Sequence, residues 1–364
     1  MTDWRETPDW QDAVTAPRRQ WRSRAALVTP DDVETTSVPV ADGTIRYSGE
    51  SSEQWAADIT VSDALWVPLS PDDPLDPRAG YRLRVWWELL TPTGWASVTC
   101  GTYTLHDPDI SDDGHLSMQL QGVDAITEAK RGGYGGQTLS VGGLTVSAAL
   151  QLIFDTVYPA APTSIPDTTV TLPTPYELGA RSPFEDWTDI ALLAGWTVRA
   201  NRNGVITAAA PADDDTVRAT WQEGPDCRVS SIRREVTTSE LINRVVVVST
   251  SPEVVPPILS IVEDDDESSP TWVGLGRIWE ERIESDAVAT QAAADNLARL
   301  QYGARRLPTE TVTVKLPGRP DLVYRDTVVI GRRRVGATGS YRVSGWTLDL
   351  SSGAMEVRTM SRQT

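Results

Sequence analysis

Gly101-Thr102-Tyr103-Thr104-Leu105, followed by Gly114 and Leu116-Ser117-Met118-Gln119-Leu120, has a counterpart near the end of the chain. There the run is Gly339-Ser340-Tyr341-Arg342-Val343, followed by Gly353 and Met355-Glu356-Val357. The two glycines are 13 residues apart in the first copy and 14 in the second. Each copy reads as an alternating Gly-x-Tyr run that turns and returns as a second alternating run, the pattern of half-buried strands. Two copies predict that the first and last parts of the chain are β-structures of one kind, with a different module between them.

Working outward from the first copy, period-two patterning covers most of Ala25 to Gln121, with strands expected at Thr44–Tyr47, Trp55–Val61, Tyr81–Trp87, Gly101–Leu105 and His115–Leu120. Pro71, Pro74, Pro77, Gly80, Pro92, Gly94 and Gly114 punctuate the gaps. Residues 25–130 therefore read as a first β-barrel domain, closed by a short helix at Asp124–Lys130. Arg131–Gly143 has six glycines in thirteen residues and separates this domain from a region of different character. Helical spacing at Val146–Tyr158 and Phe184–Leu193, then a hairpin around Asn201-Arg202-Asn203-Gly204, make residues 131–238 an α+β insert. Residues 239–364 read as a second β-barrel domain. It has a strand at Ile242–Thr250, an acidic loop at Glu263–Ser269 expected to be solvated, and one long helix, Asp286–Arg305. That helix carries a stripe of Ala289, Ala293, Leu297 and Leu300 and an Asp286 cap. Strands at Thr311–Leu316, Thr327–Ile330, Tyr341–Leu350 and Ala354–Met360 complete it. The fold class is mainly β with an α+β insert.

Residues 1–24 place Trp4, Trp10 and Trp21 among charges, including Arg18, Arg19, Arg22 and Arg24. They read as an arm that docks through its tryptophans, on its own chain or on a neighbour.

The composition narrows the function. The 364 residues carry 33 basic and 51 acidic side chains, a net charge of −18, which disfavours a protein whose work is to grip phosphate or an anionic membrane. With 2 His and 2 Cys there is little material for imidazole catalysis, multi-His metal binding or a disulfide scaffold. The acidic start MTDWRETPDWQD has no apolar core of a secretory signal, and no apolar run nears the roughly 18 residues of a membrane helix. Cytoplasmic synthesis without export is expected.

Tests for chemistry return little. His106-Asp107-Pro108-Asp109 through Asp112-Asp113-Gly114-His115 is dense in potential ligands, but its spacing fits no EF-hand, and a polar hairpin connection is the simpler reading. Gly132-Gly133-Tyr134-Gly135-Gly136 lacks the Lys of a phosphate loop. Cys100 and Cys227 read as buried thiols. No catalytic, cofactor or metal residues are assigned, and no enzyme activity is expected. A Trp-rich carbohydrate-binding or glycan-hydrolysing envelope protein is the alternative, since indole faces stack on sugar rings.

One family has this order of features. Ser23-Arg24-Ala25-Ala26, Gly43-Thr44-Ile45, Gly80-Tyr81-Arg82-Leu83-Arg84-Val85, Gly101-Thr102-Tyr103 and Gln121-Gly122-Val123-Asp124 resemble minor tail proteins of siphophages from GC-rich hosts. Glu240-Leu241-Ile242-Asn243-Arg244-Val245, Ser268-Ser269-Pro270 and Pro320-Asp321-Leu322 before Asp326 resemble tail hub proteins, relatives of the baseplate hub of contractile particles. The resemblance implies two tail-tube-like β-barrel domains per chain and a homotrimer whose six barrels adapt a sixfold tail tube to a threefold tip. The implied partners are a distal tail protein or tail-tube ring, the tape measure protein and tip or receptor-binding proteins. The implied location is the virion tail tip, with DNA as transient cargo in a channel that an acidic wall would keep from holding it. The interface residues expected on this reading are Trp4, Trp10 and Trp21 of the arm, and Tyr81, Trp86 and Trp87 on a barrel-edge strand.

Overall fold

The computed structural model describes residues 8–16, 19–51, 53–172, 174–210, 215–224, 228–250, 256–285, 291–306 and 309–361. Trp4, Cys227 and Asp286–Ala289 fall outside them.

The described residues begin with helix α1 (Pro8–Thr15), then strands β1 (Trp21–Val28), β2 (Glu34–Val38), β3 (Asp42–Ser48), β4 (Trp55–Val61), β5 (Arg82–Thr91), β6 (Gly94–Asp112) and β7 (Leu116–Val123). Strand β5 explains why this part holds together. Alternation puts Leu83, Val85, Trp87 and Leu89 on one face, each no more than 2% exposed. The opposite face is polar but covered. In the antiparallel register with β1, Arg22 lies across from Glu88 and Arg24 across from Trp86. Arg22 and Arg24 both pair with Glu88, and the Arg24 guanidinium stacks 3.7 Å over the Trp86 ring.

The α+β insert holds α2 (Ala125–Arg131), β8 (Leu139–Ser140), α3 (Val146–Val157), β9 (Thr163–Ser164), β10 (Glu177–Leu178), α4 (Pro183–Leu193), β11 (Thr197–Ala200) and β12 (Ile206–Ala209). Side chains that accept backbone N–H groups start all three helices: Asp124, Thr145, and Ser182 in a capping box with Glu185. Phe154 of α3 meets Trp187 of α4 at 5.0 Å between ring centres.

Next come β13 (Val217–Gln222), β14 (Ser231–Thr237), β15 (Arg244–Ser249), β16 (Leu259–Glu263), β17 (Glu280–Ser285), helix α5 (Gln291–Arg305), β18 (Thr309–Pro317), β19 (Thr327–Arg332), β20 (Ala337–Asp349) and β21 (Ala354–Ser361). Strands β16-β15-β17 form their own sheet. Ala294 and Ala298 of α5 pack on it with Ile242, Val245 and Val247, so residues 242–306 have a core apart from the main one. Strands β13 and β14 pair with β19 and β18, which ties 217–237 to the final strands rather than to the insert. The acidic loop is only partly solvated: Asp264 is buried and accepts hydrogen bonds from the Ser269 and Thr271 hydroxyls.

The two ends share one strand order. In the first, β3-β4-β7-β6-β5 are neighbours; in the second, β14-β18-β21-β20-β19, all antiparallel. Renamed in chain order as a to e, both units read a-b-e-d-c. The Gly-x-Tyr runs sit at matching places on the two long d strands, β6 and β20, with Tyr103 opposite Leu83 and Tyr341 opposite Val328. Gly101 and Gly339 both have positive φ, 141° and 132°, and at Gly101 a Cβ would strike the Tyr103 ring. The β-units at the two ends are joined: β20 pairs with β19 through its first half and with β3 through its last five residues. One 13-stranded sheet therefore runs through both.

Candidate functional site

Aromatic rings and buried polar groups fill the seam between the two β-units. Along β3 and β20, Tyr47 faces Trp346 and Ile45 faces Leu348. Tyr47, Trp55 and Trp346 form a ring cluster with centre separations of 4.3, 5.6 and 5.8 Å. Each polar tip finds a partner: the Trp346 indole donates to Leu322 O at 2.9 Å, the Trp55 indole to Ala200 O at 3.1 Å, and Tyr324 N to the Tyr47 hydroxyl at 3.0 Å. Burial pushes the Tyr47 hydroxyl above its ordinary pKa.

The loop 318–326, between β18 and β19, is what the second unit inserts into the first. Its Leu322 is fully buried. Asp321, also buried, takes two hydrogen bonds from Arg319 at 2.8 and 3.0 Å and one from the Trp10 indole at 3.4 Å. Burial alone would raise the Asp321 carboxyl, but the Arg319 charge and hydrogen bonds, aided by Arg202 and Trp10, outweigh it and hold the pKa below the ordinary value. Arg202, on the turn of the β11–β12 hairpin, reaches across to donate to Asp321 O, Leu322 O and Thr99 O. Nearby, a cleft of about 1060 Å³ opens against Trp21, Trp87, Leu316 and Met355. Arg19 on its wall is lowered to about 10 by burial and by the charges of Arg228 and Arg319.

The residues expected at an interface are mostly spent inside the chain. Trp10 is 2% exposed and packs through α1 with Ala13 and Val14 on Leu89 and Val98. The arm is thus docked on its own chain at this point, while Trp4 lies outside the described residues. Trp21 stacks on Trp87, Trp86 lies under Arg24, and Tyr81 is half-buried against the core. The stretch Tyr81–Trp87 is not an edge: β5 is hydrogen-bonded to β1 on one side and β6 on the other. The alternation that suggested a strand carries no information about how many neighbours the strand has. Arg202 was missed because the Asn-Gly signal fixes a turn without saying what the turn touches. The His106 cluster is the expected hairpin; His106 is held by Glu128 and Arg131, and Asp112 accepts from Gly114 N.

The sheet edges lie elsewhere. Among the described residues β14 pairs only with β18, and β6 beyond Leu105 pairs only with β7. Val236 on the first and Ile110 on the second are 46% and 42% exposed. On the first edge Arg233 and Arg234 are paired with Glu235 and Glu310, and the adjacent turn Arg333–Val335 adds Arg333 and Arg334, which leaves it net basic; the second is acidic, with Asp107, Asp109, Asp112 and Asp113.

Neither a comparison with protein-family models nor one with curated proteins finds a match. Solved structures do match, over almost the whole chain. A tail protein from Neisseria meningitidis MC58 aligns with a TM-score of 0.65 at 14% identity, covering 93% of this chain and 97% of that one. The 43 kDa tail protein of prophage MuSo2 from Shewanella oneidensis gives 0.63 at 13%, covering 93% and 98%. Prophage tail protein gp18 from Listeria monocytogenes EGD-e gives 0.55 at 12%, covering 94% and 95%. At these identities the likeness is one of fold: the chain has the mainly β fold, with its α+β insert, of phage tail proteins.

Proposed function

We propose that this chain is a structural hub subunit of a phage tail, three copies of which close into a ring at the tail tip. The observation that carries the reading is the β3–β20 junction. Two β-units of one strand order meet inside the chain, strand a of the first pairing with strand d of the second. The counterparts of those two strands, β14 and the outer half of β6, have open edges of opposite charge. If β14 of one copy pairs with β6 of the next, the intrachain junction is repeated between chains. Three copies then alternate three internal and three external junctions around a ring of six like units. The domain division of the reading is an arm, a first β-unit, an insert and a second β-unit with its own small helical module. In a siphophage tail its neighbours would be a distal tail protein or tube ring, the tape measure protein and tip or receptor-binding proteins. DNA would pass through as cargo past a wall drawn from the net charge of −18.

The reading as a structural component without enzymatic activity is supported by the tail-protein fold over nearly the full length. The glycan-binding alternative loses its basis in the tryptophans. Among the described ones only Trp95 and Trp279 are 40% exposed or more, they lie on different units, and the Arg22 guanidinium covers the Trp95 ring.

Sedimentation of the full chain tests the ring. A species near three times the 39.7 kDa chain mass, annular in negative stain, is expected. A monomer at every concentration, retained on polysaccharide, would overturn the proposal.

A further inference from the structure

We infer that the loop 62–81, between β4 and β5, seats beside β14 of a second copy of this chain, with Leu65 and Leu69 as its apolar contacts. This rests on the ring reading above and names the contact that would secure it.

The common strand order makes loop 62–81 the counterpart of loop 318–326, since each joins strand b to strand c of its unit. The second loop is consumed inside the chain, where it packs against the first unit beside strand a, β3. Among the described residues the first loop has no such receiver. Leu65 and Leu69 are each 91% exposed.

Their exposure is held in place rather than left to a slack segment. Asp63 accepts from Leu65 N and starts the short 3-10 turn Ala64–Trp66. Asp73 accepts from Leu69 N at 2.6 Å and from Ser70 N at 2.7 Å. Leu75 is 1% exposed and anchors the loop to the core. A loop pinned in this way presents two leucines at little ordering cost to a partner.

The receiver follows from the same correspondence. Strand a of the second unit is β14, so the loop lands beside β14 of the neighbouring copy. Charge agrees with that choice. The loop brings Asp63, Asp72 and Asp73, while Asp76 is already matched by Arg78. On the receiving side Arg333 and Arg334 are exposed, next to Arg233, which is itself paired with Glu235.

The test is sedimentation of the full chain carrying Leu65→Asp with Leu69→Asp. Both side chains are outside the core, so the far-UV circular dichroism should match the parent. The concentration at which half the chains are assembled should rise tenfold or more. A charge exchange gives a second reading: Asp72→Arg and Arg333→Asp should each weaken assembly, and their combination should restore part of it. If the parent forms trimers and the leucine variant does so at the same concentration, the loop assignment is overturned while the ring stands. If the parent is monomeric throughout, both fall.

Discussion

Trp21 and Trp87 stack with their ring centres 4.3 Å apart and 15° between planes, and Gly353 of the other β-unit sits against their edges. A Cβ at position 353 would come within 2.6 Å of Trp21 and 2.9 Å of Trp87, at a φ of +66°. The turn that closes the β20–β21 hairpin is therefore also a contact between units.

Gly353→Ala should cost about 3 kcal/mol, combining an unfavourable backbone with overpacking of the two rings. Gly114→Ala, at the matching hairpin turn with φ +90° and open space around it, should cost only about 1 kcal/mol. Urea melts of both variants at one protein concentration check the difference; equal losses would remove the packing argument.

Asp321→Asn should destabilise the fold by about 3 kcal/mol at pH 7, because it removes one charge of the buried Arg319–Asp321 ion pair. The Asp321 carboxyl is held below its ordinary value, so its contribution is complete above about pH 4 and fades as pH falls through the folded-state value. The gap between parent and variant should accordingly narrow in acid. Denaturation midpoints from pH 7 down to pH 2.5 measure it, and a gap that stays constant over that range would contradict the assignment.

Asp124 does two tasks with one carboxylate. It accepts Thr127 N at the start of α2, and Gln54 N and Trp55 N at the start of β4. Asp124→Ala should cost about 3 kcal/mol, from one lost cap and two stranded donors. Asp124→Asn, which keeps an acceptor oxygen, should lose visibly less when the two variants are compared by thermal melting.

Cys100 is fully buried, and burial pushes its thiol up to about 12. In a Cys227→Ser background at pH 8, a thiol reagent such as Ellman's should find nothing to react with in the native chain and one equivalent after denaturation. Rapid native reaction would mean that the β5–β6 core opens readily.

The repeated Gly-x-Tyr hairpin was legible because glycine at positive φ, a tyrosine and an alternating return strand are local features. The a-b-e-d-c order behind it was not, since β14, with Ser231-Ile232-Arg233-Arg234-Glu235-Val236-Thr237, has an arginine-rich exposed face and no clean alternation. For a related reason the sequence left open whether the arm that holds helix α1 docks on its own chain or on a neighbour. The eight residues of the helix bury little by themselves, and residues distant in sequence, Leu89 and Val98 among them, make Trp10 a core residue. The module of residues 242–306 was folded into the last domain in the sequence reading because its core is mostly valine and alanine, which look the same in either setting. The seam's key polar residues, Arg202 and Asp321, belong to turns, where local sequence specifies the bend and distant sequence specifies the contact.

The pairing of β3 with β20 joins strands roughly 300 residues apart. At about 5–20 residues per second of synthesis, β3 emerges on the order of 15–60 seconds before the strand that will cover its edge. During that interval the first unit carries an open, hydrogen-bonding edge, an invitation to pair with a neighbouring nascent chain. Completion of the last unit is thus the event that both finishes the fold and withdraws that edge from competition. Translation speed and chaperone supply, more than intrinsic stability, should govern how much of this protein is recovered intact.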